Sequence, residues 1–382
     1  MATALACAHK GASVCLLDSS EPEKADDGRA SAIAASSYAM LEHLGVAAAL
    51  KGHVQPITDM LIADGEVGDI SPLRLHFDSR DVDGPTGYII ENNILRAALL
   101  ASVRAANAIS FLAPIDIQKT SRMAEIATVI LSDKTKLTAS LIVAADGRNS
   151  GLREKAGIEL QRFDYDQKAI VTTFEHELSH DGVAHQMFFA GGPLALLPLT
   201  NNRCSIVWSD RARAIDAAMA LEEGAFTAEL IRRMGSFLGE IKLCAPRQAF
   251  PLGLQMAERY TDKRLILVGD AAHAIHPLAG QGLNMGLRDA AALADIVAES
   301  RSVGLDLGGA AIGEYEVWRN FDNKILGAST DMLNRLFSNK VLPLRHARRL
   351  GLAAVNRFKP AQKVFMKEAA GETGALPSLL RR

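Results

Sequence analysis

The sequence predicts an α/β fold in which a Rossmann-like, parallel-sheet domain that lacks its first strand is interrupted by a second, mainly antiparallel sheet and followed by a helical C-terminus. Two apolar segments, Leu141–Ala145 and Leu265–Val268, are short enough to be buried parallel strands, and each is followed by a glycine turn and a helical pattern. Between them lie short strand-like stretches, separated by Gly, Pro and Asn, that favour antiparallel hairpins. From Gly313 onward the pattern is helical.

Composition narrows the class of protein. A chain of 382 residues with 48% hydrophobic residues is long enough for two domains, and a formal net charge of −2 gives no reason to expect nucleic acid as a partner. The four cysteines lack disulfide-framework or zinc spacing, which predicts reduced thiols, a cytoplasmic location and no metal site. No apolar run reaches the ~18 residues needed to span a bilayer.

The first eighteen residues have the pattern of half a nucleotide-binding unit. Residues 1–10 predict a buried, alanine-rich helix closed by Gly11, and Ala12–Asp18 predicts the next parallel strand. In a Rossmann-like βαβ unit, Asp18 stands where an acidic residue binds the ribose hydroxyls. No GxGxxG precedes this helix, so the first strand and its pyrophosphate loop are missing from the 382 residues.

Two explanations of this start remain open. The start codon was assigned to an internal methionine, or the protein lost its dinucleotide site and kept the fold. The intact later motifs favour the first, which predicts that roughly 10 to 20 upstream residues encode an apolar strand and GxGxxG. The chain as written is expected to bind its cofactor poorly or to fold incompletely.

The segment that follows Leu265–Val268 is the most informative part of the chain. Asp270 ends this strand, and a carboxylate at the carboxyl end of a parallel strand faces the ligand crevice. Pro277, Gly280 and Gly282 then lead into a periodic helical segment that runs to about Val297. Glycines there expose backbone N–H groups, and the positive end of the helix dipole favours a negative ligand such as a reduced flavin.

This segment resembles the second FAD motif of FAD-dependent aromatic hydroxylases related to para-hydroxybenzoate hydroxylase. Its variant, HPLAGQGLNMGLRDA, is most similar to the ubiquinone-biosynthesis hydroxylase family. The resemblance implies that the aspartate binds the ribityl chain and that the glycine loop lies against the pyrimidine side of the flavin. The cofactor-binding residues that it implies here are Gly269, Asp270, Pro277, Gly280, Gln281, Gly282, Leu283 and Asn284.

A second motif, DGRNSGLR, follows the strand Leu141–Ala145. An ordinary turn would explain its Asp146 and Gly147 alone. The DGxxSxxR pattern, however, resembles the hydroxylase motif linked to both FAD and NAD(P)H binding, which implies that Asp146 and Gly147 belong to the cofactor site.

Two arginines receive roles from the same resemblance. Asp26–Leu44 predicts a polar loop that leads into a helix, and its DGR pattern places Arg29 by the FAD diphosphate or the incoming nicotinamide nucleotide. A solvated Arg29 beside acidic neighbours is the alternative. Gly87–Leu100 predicts a strand and a helix, and the family analogy puts Arg96 near the flavin.

The predicted domain organisation is discontinuous. Residues 1–160 and 261–335 form the FAD-binding domain, 161–260 form a substrate domain that is mainly an antiparallel sheet, and 336–382 form a basic helical segment. The resemblance implies that the open face of the inserted sheet covers the substrate beneath the flavin. Within Lys340–Lys367 the sequence has eight Lys or Arg and no Asp or Glu. Such a segment is usually a solvated helix face, but it can also bind anionic lipid or a protein complex.

The reaction implied by the resemblance is aromatic monooxygenation. NAD(P)H reduces FAD, dioxygen yields a C4a-hydroperoxyflavin, and an electron-rich phenolic ring takes the distal oxygen. No catalytic residue is assigned, and His273 and His276 are interpreted as structural loop residues. The expected substrate is a polyprenylated phenol of ubiquinone biosynthesis, with the enzyme peripheral at the inner face of the membrane or in a quinone-biosynthesis complex. A catabolic phenol or salicylate hydroxylase and a non-catalytic, hydroxylase-like scaffold remain alternatives.

Overall fold

Parallel strands of the predicted kind lie in two small sheets. The computed structural model describes residues 1–21, 28–81, 84–123, 125–275, 280–337 and 358–382. One sheet pairs β1 (Val14–Leu17) in parallel with β7 (Ile109–Leu112). The other pairs β11 (Ile142–Ala144) in parallel with β19 (Leu265–Leu267), beside the short β18 (Thr261–Asp262). The α/β class predicted from the sequence is therefore confirmed.

Two helices pack against these sheets as the apolar periodicity predicts. Helix α1 (Ala2–His9) precedes β1, and Gly11 follows it with a φ of +83°, a conformation that favours glycine at a helix end. Helix α7 (Gln281–Ser302) follows the turn after β19. Buried residues of α1, β11, β19 and α7 share the largest apolar core, which fixes the carboxyl end of β19 relative to the start of α7.

The other elements of residues 1–160 include two smaller sheets and three helices. An antiparallel sheet has the strand order β2–β6–β3, and a hairpin sheet has the order β10–β9–β8. The bounds are β2 (Ala30–Ala34), β3 (Val54–Ile57), β6 (Gly87–Glu91), β8 (Ile117–Arg122), β9 (Ala127–Leu131), β10 (Lys136–Ala139), α2 (Ala35–His43), α3 (Asn92–Ala105) and α4 (Gly151–Lys155). Strand β2 lies where the sequence predicts part of a polar loop, because β6 supplies backbone partners that no local pattern reveals.

A nine-stranded sheet forms the second layer, in the order β20–β17–β12–β15–β14–β13–β4–β5, with β16 also paired to β12. Its bounds are β4 (Asp59–Glu66), β5 (Asp69–Asp78), β12 (Leu160–His176), β13 (Val183–Phe189), β14 (Gly192–Leu199), β15 (Arg203–Arg211), β16 (Ile241–Leu243), β17 (Gln248–Ala257) and β20 (His273–Ala274). The predicted antiparallel hairpins are present, whereas β4 joins β13 in parallel. Strands β4 and β5 come from the range assigned to the FAD-binding domain, and the domain boundaries stay a prediction.

The two faces of this sheet have different neighbours. Helices α5 (Ala212–Met219) and α6 (Glu223–Met234) cover one face, where Leu194 and Leu196 of β14 are buried. Successive side chains of a strand point to opposite faces, so Leu197 and Leu199 lie on the other face. There they pack against residues of β2, β3 and β6. The open face of the sheet is therefore directed toward the part of the molecule that carries the cofactor motifs.

The C-terminal part is helical where it is described. Helix α8 (Ala310–Phe337) packs on α7, and α9 (Lys359–Ala369) is followed by a tail whose Ser378 hydroxyl donates a hydrogen bond to Asp295 at 2.5 Å. Most of the basic segment, residues 338–357, lies outside the described residues. Among the helices that are described, none combines the length and apolar character that a membrane span requires.

Candidate cofactor and substrate site

The turn after β19 presents Asp270 to solvent at the carboxyl end of a parallel strand. Gly269 has a φ of +57°, which favours glycine, and a Cβ added at Gly286 of α7 would lie 3.3 Å from the Gly269 Cα. This close approach holds the turn against α7. Asp270 itself is exposed, so its carboxylate can accept hydrogen bonds from the hydroxyl groups of a ligand.

The start of α7 lies against β2. Gly280 precedes the helix with a φ of +65°, and a Cβ added there would lie 3.0 Å from the Ala32 Cβ. The Asn284 Oδ1 accepts a hydrogen bond from the Ala34 N–H at 2.8 Å, and its Nδ2 donates to the Ala32 carbonyl at 2.9 Å. The Asn284 side chain thus anchors α7 to β2. Residues 280–283 also supply the first four N–H groups at the start of α7, which lack carbonyl partners within a helix.

Only part of the connecting loop is described. Gln281 and Gly282 are half-buried in the first turn of α7, and 38% of Leu283 is exposed. Pro277 and His276 lie outside the described residues.

The DGRNSGLR motif forms the turn after β11 and the short helix α4. Gly147 has a φ of +82°, and Asp146 is exposed and accepts a hydrogen bond from the Leu152 N–H at 3.2 Å. The motif's last residue, Arg153, is 4% exposed and donates to the Ala271 carbonyl at 2.9 Å. Burial lowers the pKa of this guanidinium. Arg153 therefore joins the two sequence motifs into one site.

The two arginines implied by the resemblance lie on neighbouring segments. Arg29 is exposed, and its guanidinium lies over the Phe250 ring of β17, 5.3 Å from the centroid. Its carbonyl accepts a hydrogen bond from the Asn92 N–H at 2.9 Å, which places Arg29 next to the first turn of α3. Arg96 is half-buried one turn further along that helix. Arg29 thus directly precedes β2, and Arg96 lies in the helix that follows β6, while the contacts of both residues with a cofactor stay a prediction.

Asp18 lies at the end of β1, as the sequence predicts. Its Oδ1 accepts hydrogen bonds from the Ser20 N–H at 3.0 Å and the Ser20 hydroxyl at 2.9 Å. Burial lowers the pKa of the Met1 amine, and the negative charge of Asp18 partly opposes this effect. The role of Asp18 toward a ribose stays a prediction.

A row of small and amide side chains crosses the open face of the large sheet. Gln186, Ala195, Val207, Val171 and Gln248 are successive partners across five adjacent strands. Apart from Val171, which is buried, each is partly exposed, although these strands lie inside the sheet. Partial exposure at such positions means that other elements leave this row accessible to solvent. The sequence predicted the sheet but could not identify these residues, because only the register defines the row.

One cysteine–histidine pair lies on the opposite face, and its surroundings oppose nucleophilic chemistry. The Cys204 Sγ is 3.5 Å from the His176 Nε2. Burial raises the pKa of the Cys204 thiol to about 12 and lowers the pKa of His176. A reactive cysteine needs the opposite shift of its thiol pKa. We assign this pair to the core that α5 and α6 cover.

Asp289, in the GLRDA part of the motif, is a further residue of this site that the sequence pattern did not identify. Asp289 is fully buried, and its Oδ2 lies 2.5 Å from the Nε2 of His273 and accepts a hydrogen bond from the Gly269 N–H at 3.0 Å. His273 is itself 1% exposed, in keeping with the structural role predicted for it. The signal available in the sequence was a carboxylate inside the glycine-rich motif.

These residues fit a flavin nucleotide. An exposed carboxylate at Asp270 suits the hydroxyl groups of a ribityl chain, and the N-terminus of α7 suits the anionic side of a reduced ring. Gly280 lets this N-terminus begin in a left-handed conformation close to β2. The hydrogen-bond acceptor at Asp270 and the N–H donors of α7 thus agree with FAD bound at the carboxyl end of β19.

Comparison with known proteins points to the same chemistry. Residues 1–302 match the family model described as FAD binding domain. Ubiquinone hydroxylase UbiL of Rhodospirillum rubrum is 44% identical, over 99% of this chain and 89% of that protein. The 3-demethoxyubiquinol 3-hydroxylase of Escherichia coli is 32% identical, over 97% of this chain and 95% of that protein. The crystal structure of p-nitrophenol 4-monooxygenase PnpA from Pseudomonas putida has a TM-score of 0.80 at 17% identity, covers 98% and 96% of the two chains, and shows the fold alone.

Proposed function

Because the chain belongs to the family of FAD-dependent aromatic hydroxylases of ubiquinone biosynthesis, we propose that it hydroxylates the ring of a polyprenylated phenol, using NAD(P)H and dioxygen. The observation that carries the proposal is the partly exposed row on the open face of the nine-stranded sheet, because Arg29 lies over Phe250 on the same face. An aromatic ring bound on this row would have the cofactor motifs on one side and the small apolar and amide side chains of the row on the other.

The protein's part in the reaction is binding, orientation and exclusion of water. When bound, FAD supplies the redox chemistry that couples a nicotinamide nucleotide to dioxygen. Asp270 would hold the ribityl hydroxyls, and the first turn of α7 would stabilise negative charge on the reduced ring through its N–H groups and dipole. The exposed Arg29 offers a cationic contact for the phosphates of FAD or of NAD(P)H. The large sheet shields the reacting ring from water.

The open face of the sheet suits an apolar substrate with an extended tail. Ala195 and Val207 are neighbours in the row, and their small side chains would leave room for a ligand between the amides of Gln186 and Gln248. Apolar walls with a few polar groups are typical of small-molecule sites. The amides can orient a phenolic hydroxyl, while the centre of the row accommodates the prenyl chain.

We further propose that the enzyme is cytoplasmic and peripheral at the inner face of the membrane, where a prenylated substrate resides. Two features support this proposal. On α8, Val317, Phe321 and Ile325 form a stripe at four-residue spacing with exposures of 75%, 67% and 53%. The sequence after α8 supplies the basic segment Lys340–Lys367. Exposed apolar side chains and clustered cations are the two groups that bind a protein to an anionic lipid surface.

The proposed function is tested by deleting the gene and analysing the quinones. We expect ubiquinone to disappear and a prenylated precursor that lacks one ring oxygen to accumulate. The purified, FAD-loaded protein should transfer one atom of labelled dioxygen to a prenylated phenol. Unchanged ubiquinone in the deletion strain, together with efficient turnover of small soluble phenols, would assign a catabolic hydroxylase instead. Loss of ubiquinone that is restored by a variant unable to bind FAD would indicate a scaffold.

A further inference from the structure

Helix α8 holds the carboxyl end of β19 at two points. The Tyr315 hydroxyl donates a hydrogen bond to the Leu267 carbonyl at 3.0 Å, at the last residue of the strand. Two residues further along the chain, the Gly269 N–H is held by Asp289 at 3.0 Å, and the other carboxylate oxygen of Asp289 accepts from Arg319 Nε at 2.8 Å. Helix α8 therefore reaches the turn that presents Asp270 through one intervening side chain.

The side chains around Asp289 are buried away from solvent. Asp289 has no exposed surface, and Arg319, Asn323 and His273 are each 1% exposed. Asp289 accepts hydrogen bonds from the Gly269 N–H, from Arg319 and from Asn323 Nδ2 at 3.1 Å, and it contacts His273. Burial raises the pKa of Asp289, but His273 and Arg319 outweigh burial and hold this pKa below its usual range. The carboxylate thus stays ionised, and its orientation is set from several directions.

The guanidinium of Arg319 is equally constrained. Its Nη2 donates to Asn323 Oδ1 at 2.7 Å, and its Nη1 donates to Asp322 at 2.8 Å. Such forked donors fix the plane of a guanidinium, and this plane in turn fixes the Asp289 carboxylate. Arg319 lies beyond residue 302, where the match to the FAD-binding family model ends.

We propose that Arg319 and Asp289 are positioning residues for the flavin site: Arg319 orients the Asp289 carboxylate, and this carboxylate holds the Gly269 N–H so that Asp270 points toward the ribityl chain. Neither residue contacts the cofactor in this assignment. The consequence is that helix α8 controls FAD affinity without contacting the ligand. Removing the pair loosens the turn even when the remainder of the fold is intact.

The test uses the charge-balanced double variant Asp289→Leu/Arg319→Met, which leaves no single buried charge unpaired. The matched control is Asp306→Asn/Arg264→Met, because Arg264 is also buried, pairs with Asp306 at 2.7 Å and lies at the opposite end of β19. Hydrogen exchange of the 268–272 backbone is measured in FAD-free protein, and FAD affinity is measured by fluorescence titration. Neither readout requires hydroxylation, so failure of the proposed substrate would not affect them.

We expect the Asp289 and Arg319 variant to exchange the Gly269 amide at least about tenfold faster and to bind FAD about tenfold more weakly, as loss of one charge-assisted hydrogen bond implies. The control should lower the unfolding temperature but leave both readouts within about twofold of the native protein. If the double variant does not fold, Asp289→Asn/Arg319→Met retains one acceptor and should give an intermediate loss. Native exchange and FAD affinity in a folded variant, or equal changes in the control, would overturn the proposal.

Discussion

The guanidinium of Arg153 donates a hydrogen bond to the carbonyl oxygen of Ala271 at 2.9 Å, and the two residues come from the two motifs that are about 120 residues apart in the chain. A second bond joins Arg153 to the Arg148 carbonyl at 3.1 Å. One buried side chain thus sets the distance between the Asp146 turn and the Asp270 turn. The site depends on this connection, since the parallel pairing of β11 with β19 aligns the strands but not the turns that follow them.

We expect Arg153→Met to weaken FAD binding and to lower the free energy of unfolding by roughly 1 to 3 kcal/mol, because the buried Ala271 carbonyl and the partly buried Arg148 carbonyl lose their donor. Urea unfolding and FAD titration measure the two effects. Arg162→Met is the matched control, since Arg162 is exposed on β12. Equal behaviour of the two variants would show that the motifs are held together without Arg153.

Asp270→Ala should weaken FAD binding by about ten- to a hundredfold, the equivalent of ~1.5 to 3 kcal/mol for contacts between a carboxylate and hydroxyl groups. Its exposed side chain contributes little to folding, so the unfolding temperature of the FAD-free protein should stay close to that of the native protein. Asp270→Asn keeps an acceptor and should lose less affinity. If the alanine variant retains native FAD affinity, the assignment of Asp270 to the ribityl chain is wrong.

Ala195→Phe should abolish hydroxylation of a long prenylated phenol while NAD(P)H oxidation continues, because the added ring fills the centre of the open-face row. A phenol with a short tail should lose much less activity. Ala139→Phe introduces the same ring at an exposed position of β10 and should change neither rate. Parallel assays of product and of NAD(P)H consumption measure the uncoupling. Normal turnover of the long substrate by the Ala195 variant would place the tail elsewhere.

Replacing Arg345, Arg348, Arg349 and Arg357 with Gln should reduce binding to anionic vesicles, since each cation near such a surface contributes up to ~1 kcal/mol and salt screens it. Flavin reduction should remain largely intact. The control replaces four exposed cations from elsewhere in the chain, Lys51, Lys134, Lys136 and Arg213, and gives the same total charge. Vesicle flotation with and without anionic lipid makes the comparison. Equal loss in both variants would mean that net charge, not the basic segment, determines binding.

Local patterns in the sequence determined most of the elements and the identity of the cofactor motifs. The apolar runs before Asp146 and Asp270, the glycines after them and the helical periodicity that follows depend on residues close together in the chain. Those features predicted the two strands, their turns, the helix α7 and a flavin site. They also placed Asp18 at the end of β1 and the short strands of the second sheet between the motifs.

Only the tertiary structure decided how these parts meet, because the interactions that join them connect residues far apart in the chain. The pairing of β2 with β6, the bond between Arg153 and Ala271 and the burial of Asp289 beside Arg319 all depend on packing that no local pattern records. The open-face row has the same origin, since its members become neighbours only through strand register. The residue types in the short motifs predict the chemistry of the site. How the strands and turns of the site lie relative to one another depends on buried contacts between residues that are far apart in the chain.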